Sequence, residues 1–136
     1  METKAMLNIT TTQEESGEQI ELTTLAQCSK IAQGVQLSFQ ENLTGEDSTS
    51  SVLTILEDCV ILTREGEYSS NMLFETNKTH QCAYNVGESE IDMRIFTTYL
   101  KTNFNENNIN ANVSYHLSLD GMSIGNINMS ISARAV

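Results

Sequence analysis

Arg64 is the side chain whose placement constrains the chemistry of this chain most tightly. It ends the run Val60-Ile61-Leu62-Thr63-Arg64, and in an alternating strand it takes the same side as Val60 and Leu62. A guanidinium on an apolar face needs a partner, because a buried, unpaired charge is strongly destabilising. Glu41 is the candidate: it follows Val35, Leu37 and Phe39 at the same parity, and a carboxylate suits the planar Arg fork. Tyr84 and Tyr115 stand on the apolar sides of two further alternating runs and carry phenolic donors. Arg64 with Tyr84 and Tyr115 could thus clamp the carboxylate or phosphate of a small molecule, and Glu41 beside Arg64 completes the candidate ligand-binding set. The same residues also allow a strand-end Arg64 reaching out to solvent, or an Arg64–Glu41 pair that only fixes the fold.

Other reactive side chains form no comparable set. His80 and His116 are the two histidines, and parity turns His80 inward and His116 outward, which argues against an acid/base pair. Cys82 lies two positions from His80, yet no Asn or Asp orienter is identifiable, so a thiol nucleophile is not expected. Cys28, Cys59 and Cys82 are odd in number and lack CxxC or His-paired spacing, which predicts reduced thiols without a disulfide framework or zinc site. Gly45, Gly66, Gly87, Gly121 and Gly125 read as turn or bulge residues, since none opens a phosphate-binding helix. Glu14-Glu15 and Glu46-Asp47 lack calcium-loop spacing. Neither a cofactor nor a metal is expected.

The elements that must position Arg64 centre on Val52 to Glu75. Val52–Leu56, Val60–Arg64 and Tyr68–Glu75 are β-rich runs separated by turns too short for a crossover, hence neighbouring antiparallel strands. The Gly66 turn decides the register. A two-residue loop would scatter Val60, Leu62, Met72 and Phe74 over both faces, whereas an odd loop collects them on one. The odd loop gives an inward set of Leu53, Ile55, Val60, Leu62, Arg64, Tyr68, Ser70, Met72 and Phe74.

Alternation continues on both sides of this meander. Leu7, Ile9 and Thr11 share a face, as do Ile20, Leu22, Thr24 and Ala26 beyond a turn at Glu14–Glu18. Ser29–Gln33 reads as a polar connection and Asn42–Ser48 as a loop of turn formers. His80, Cys82, Tyr84 and Val86 precede a break at Gly87, after which Ile91, Met93, Ile95, Thr97 and Tyr99 alternate inward, with Phe96 and Leu100 outward. Asn103–Asn110 reads as an irregular Asn-rich segment. Ala111, Val113, Tyr115, Leu117 and Leu119 then lead through an Asp120-Gly121 turn to Ile127, Met129 and Ile131.

Composition bounds the remaining choices. A chain of 136 residues without proline or tryptophan fits one domain, residues 1–136, and its Thr, Ser, Ile and Val favour strands. A net charge of −11 and seven scattered basic residues argue against nucleic-acid binding. The N-terminus has no basic leader or apolar segment and no run approaches transmembrane length, so no membrane association and a cytoplasmic setting are expected. Five Asn-X-Ser/Thr matches, such as Asn8-Ile9-Thr10, are what an Asn- and Thr-rich chain gives by chance.

The expected fold is all-β, an antiparallel up-and-down meander barrel of 8 to 10 strands, since consecutive hairpins hide sheet edges best by closing. Leu37-Ser38-Phe39-Gln40-Glu41, Val60 through Gly66, Met72-Leu73-Phe74-Glu75, Tyr84 with Gly87, Val113-Ser114-Tyr115-His116-Leu117 and Asn126-Ile127-Asn128-Met129 together resemble the bacterial YwiB-like family. The chain departs from that pattern at Asn85-Val86, where a Thr or Ser and an aromatic are commoner. The resemblance implies a calycin-like, lipocalin-related barrel in the cytoplasm and brings no established reaction. The expected function is non-enzymatic binding of a small amphipathic or anionic molecule in the lumen. The alternative is a structural or interaction module whose barrel is filled by its own side chains.

Overall fold

The computed structural model describes residues 2–41, 49–66, 68–105 and 107–136. Ten strands follow one another: β1 (Glu2–Gln13), β2 (Gln19–Ile31), β3 (Gly34–Glu41), β4 (Thr49–Leu56), β5 (Val60–Glu65), β6 (Tyr68–Phe74), β7 (Thr79–Val86), β8 (Ser89–Phe104), β9 (Asn108–Leu119) and β10 (Met122–Ala135). Each pairs antiparallel with its sequence neighbours, and β1 also pairs with β10, which closes the sheet into a meander barrel. Among the described residues there is no helix.

Period-two alternation is what lets these sequences close around one core. Leu7 and Ile9 of β1, Leu37 and Phe39 of β3, Leu53 and Ile55 of β4, and Val113, Tyr115 and Ile131 of β9 and β10 are all buried. In the β5–β6 hairpin Val60 faces Phe74, Leu62 faces Met72 and Arg64 faces Ser70, the register of an odd loop. The four apolar side chains of that hairpin are buried together, as the odd loop requires. The expected Asn42–Ser48 loop lies outside the described residues.

Turn chemistry sets the hairpins. Asp120 and Gly121 take φ of 50° and 80° between the paired Leu119 and Met122, the two left-handed positions of a type I′ turn. Gly87, at φ 60°, belongs to an equally tight two-residue connection, because Val86 pairs directly with Ser89. Gly34 is required for a different reason: a Cβ there would collide with the backbone oxygen of Ile55 on β4.

Four expectations are corrected. First, Tyr99 points out and is 50% exposed, while Leu100 packs against the core. Between Thr97↔Tyr115 and Tyr99↔Ser114 the β8–β9 register gains one residue, and this bulge inverts the parity of the rest of β8. Second, Asn103–Asn110 is largely strand: β8 runs to Phe104 and β9 starts at Asn108. The Asn105 side chain accepts the backbone N–H groups of Asn107 and Asn108, each at 2.9 Å, so this Asn-rich stretch is a hydrogen-bonded turn. Third, β2 continues to Ile31 through most of the expected polar connection, leaving only Ala32 and Gln33 as the turn. Fourth, Ile20 shares the inner parity of Leu22 but is 73% exposed near the start of β2, beyond the packed part of the barrel.

Two seams are incomplete. β2 and β3 pair only from Gln27↔Ser38 to Ile31↔Gly34, and β6 and β7 only at Tyr68↔Val86 and Ser69↔Asn85. Where β2 and β3 diverge, a cleft of about 440 Å³ opens between Thr24–Gln27 and Ser38–Gln40, with Ser50–Val52 and Lys4 on its walls.

Candidate functional site: a buried ion pair in a polar layer

The inward positions of four consecutive strands, β3 to β6, place polar side chains at one level of the barrel. Register pairs Glu41 with Thr49, Phe39 with Ser51, Ser51 with Arg64, and Arg64 with Ser70. Alternation therefore turns Glu41, Thr49, Ser51, Arg64 and Ser70 to the interior, just above the hydrocarbon layer of Leu53, Leu62 and Met72, with Phe74 one level deeper.

Arg64 and Glu41 meet as their parity required. Arg64 Nε donates to Glu41 Oε2 at 2.9 Å and Nη2 to Oε1 at 3.4 Å, a side-on, two-nitrogen approach. Ser51 donates a further, short hydrogen bond to Oε2. The remaining Arg64 nitrogen, Nη1, faces the Met72 sulfur at 4.0 Å. Glu41 is 5% exposed and Arg64 25%. The carboxylate is thus the deeper partner and depends on Arg64 and Ser51 to compensate its lost hydration.

The phenols surround this pair without bonding to it. Tyr115 packs its ring on Phe74, with centroids 4.9 Å apart and planes at 57°, and Tyr84 stacks on Tyr68 at 6.1 Å and 19°. Burial pushes the Tyr115 hydroxyl up to about 12, while the positive charge of Arg64 pulls it the other way. Burial also raises Tyr84, with Arg64 opposing and Tyr68 and Glu41 reinforcing the rise. Both phenols are consequently protonated at neutral pH and can donate a hydrogen bond. Among the described residues neither hydrogen-bonds to Arg64 or Glu41.

Among the described residues, two hydroxyls in this layer have no partner. Thr49 Oγ1 and Ser70 Oγ are buried and unpaired, as is Thr97 Oγ1 on β8. Buried polar atoms are nearly always satisfied, so orphaned hydroxyls beside a buried ion pair mark a place where a water or a ligand atom fits. Ser70 is in the inward set read from the sequence. Thr49 and Ser51 extend the parity of Leu53 and Ile55 upstream, and that extension is the signal that would have found them.

Elsewhere the reactive residues are structural in setting. His80 Nε2 lies 2.8 Å from Glu75 Oε1, and Lys78 Nζ lies 3.5 Å from the other oxygen of that carboxylate. Burial raises the thiols of Cys28, Cys59 and Cys82, keeping them protonated and weakly nucleophilic. His116 Nδ1 meets Asn126 Oδ1 at 3.1 Å and Nε2 meets Ser123 Oγ at 3.0 Å, a serine–histidine–amide chain the sequence did not reveal. Its serine is exposed, and the nearby Glu15 carboxylate would oppose negative charge developing on an attacked carbonyl. Among the described residues no group of three or more metal-ligating side chains converges.

Comparison with known proteins agrees with this architecture. The crystal structure of the ywiB protein from Bacillus subtilis superposes with a TM-score of 0.84 at 20% identity, covering 99% of this chain and 93% of that one. At that identity the likeness establishes the fold. No curated protein matches. Residues 6–131 match the family described as a domain of unknown function, DUF1934, and with nearly all of the barrel inside that match the chain belongs to this family.

Proposed function

We propose that the protein is a non-enzymatic binder that seats the polar end of a small amphipathic or anionic molecule against the Arg64 layer, with its apolar part along the lumen. The observation that carries this reading is the pair of buried, unpartnered hydroxyls, Thr49 Oγ1 and Ser70 Oγ, in the layer of the Arg64–Glu41 ion pair. The cleft between β2 and β3 supports it. Ser51, which donates to Glu41, also borders that cleft, whose volume of about 440 Å³ falls within the range of small-molecule sites. In this reading Ser70, Tyr84 and Tyr115 supply donors and Arg64 supplies Nη1, and neither a cofactor nor nucleic acid is involved. The acidic chain acts in the cytoplasm, away from membranes. Among the described residues no helix is long and apolar enough to span one.

Native mass spectrometry of protein purified from its host should show a bound mass, and an added amphiphile should raise the melting temperature. Ser70→Ala separates the roles of the layer. It should leave ligand-free stability unchanged or slightly higher, because an orphaned hydroxyl contributes nothing to the fold, and it should weaken ligand binding. A bare protein and no thermal response across a broad amphiphile set would refute the reading.

A second reading has its own observation. Glu41 already engages two Arg64 nitrogens, and Phe74 and Tyr115 touch across the interior, as in a barrel filled by its own side chains. Function would then lie on the outer wall, where Met6 and Leu25 pair across β1 and β2 and are 41% and 53% exposed.

A further inference from the structure

The ion pair is electrically closed, and this narrows what the layer can receive. Arg64 supplies one positive charge and Glu41 one negative charge, joined through two nitrogens and both carboxylate oxygens. An entering carboxylate or phosphate would therefore meet a neutral pair. Its attraction to the guanidinium is offset by repulsion from Glu41, while it still loses its own hydration. A neutral oxygen loses far less on entry. It also meets the hydrogen-bonding groups that the layer leaves over: the buried hydroxyls of Thr49 and Ser70.

We infer that the head group accepted at this layer is uncharged and oxygen-bearing, an alcohol, ester or amide on an apolar tail, and that Glu41 is the residue that excludes anions. The inference rests on the binder reading and replaces its broad ligand class with one charge state. The donors suit such a head. Tyr84 and Tyr115 are held protonated by burial and can give a hydrogen bond to a carbonyl or ether oxygen, while the two aliphatic hydroxyls can donate or accept. Apolar side chains flank the layer, Leu53, Leu62 and Met72 on the inward face next to it and Phe39 and Val52 on the wall of the cleft that Ser51 borders.

The test compares 1-dodecanol, below its solubility limit, with dodecanoate and dodecyl phosphate, each below its micelle concentration, at about pH 7.5, where the last two are ionised. Isothermal titration calorimetry on the full chain should show dodecanol binding, with the two anions at least about tenfold weaker. Glu41→Gln removes the negative charge, keeps the shape and leaves Arg64 uncompensated, so the order should invert toward dodecanoate by a similar factor; circular dichroism checks that the barrel is retained. The wild-type series stands alone if that variant misfolds. Anions binding wild type as tightly as dodecanol would overturn the inference while leaving a lumen site in place, as would an unchanged order in a folded Glu41→Gln variant. If none of the three binds, and a broad amphiphile set also fails, the binder reading and this inference fall together.

Discussion

Two hydrogen-bonded polar networks of similar composition lie on opposite sides of the barrel wall. Inside, Arg64, Glu41 and Ser51 form a charge-assisted cluster whose carboxylate is 5% exposed. Outside, the β1–β2 turn folds onto β10: Glu15 accepts the Asn126 N–H at 3.1 Å, Glu14 accepts from the Asn128 side chain at 3.1 Å, and Asn126 and Ser123 hold the ring of His116. Both contain a carboxylate, a serine and a nitrogen-bearing side chain, Arg64 inside and His116 outside. Water can replace any lost partner in the outer network, whereas the inner one keeps only what the fold provides. The cost of breaking a polar contact is therefore set by where it lies more than by how many bonds it has.

The inner network should give the largest effects. Arg64→Ala strands Glu41 among hydrocarbon and should destabilise by about 3 kcal/mol, toward the lower end for buried pairs because Arg64 is itself a quarter exposed. Arg64→Met keeps more of the packing and should cost roughly 1 kcal/mol less. Urea denaturation of both variants measures this, and equal, negligible losses would place the inner pair on the same footing as the outer network.

Next comes the alkaline limb. Tyr115 ionises at about 12 in the folded barrel against 10.0 for an ordinary phenol. Its raised folded value means its contribution is complete below pH 10 and is lost as pH rises toward 12, because the unfolded chain ionises first. The loss should reach about 2–3 kcal/mol. Tyr115→Phe should flatten that part of the stability curve, and an unchanged curve would show the phenol is not desolvated.

The outer network should respond more mildly. Gly125 has φ of 131°, and a Cβ there would meet Glu15 Oε2 at 2.6 Å. Gly125→Ala should cost about 1–2 kcal/mol through backbone strain, with the flexible carboxylate moving aside. Thermal denaturation should rank it between the Arg64 variants and the smallest change, Glu15→Gln. The Asn126 N–H is the main reason Glu15 titrates below the usual 4.5. A lowered folded value gives stability that is present above pH 4.5 and lost as pH falls through it. The glutamine variant should therefore differ from the parent only slightly, with the gap closing in acid, as a melting-temperature series against pH would record.

Much of this was legible from alternation. Arg64 and Glu41 meet because each continues an apolar parity to the end of its strand, and Val60, Leu62, Met72 and Phe74 fix the loop between β5 and β6. Alternation gives Tyr99 and Leu100 the wrong sense. The bulge at Thr97–Tyr99 has no Gly or Pro to announce it, and one added residue reverses every later side chain of β8. Asn105 shows the limit for loops, since its composition suggested irregular chain while its side-chain oxygen in fact closes a turn between two long strands.

The sequence by itself determined the strands, most of their inward faces, and the presence of one cation and one carboxylate on those faces, because side-chain direction in a strand is a local property of period two. Only the tertiary structure decided that β1 closes onto β10, that Ser51 joins the ion pair, and that Thr49 and Ser70 are buried there without partners. Those outcomes depend on the register between strands and on the level at which each crosses the barrel, which are set by the packing of all ten at once.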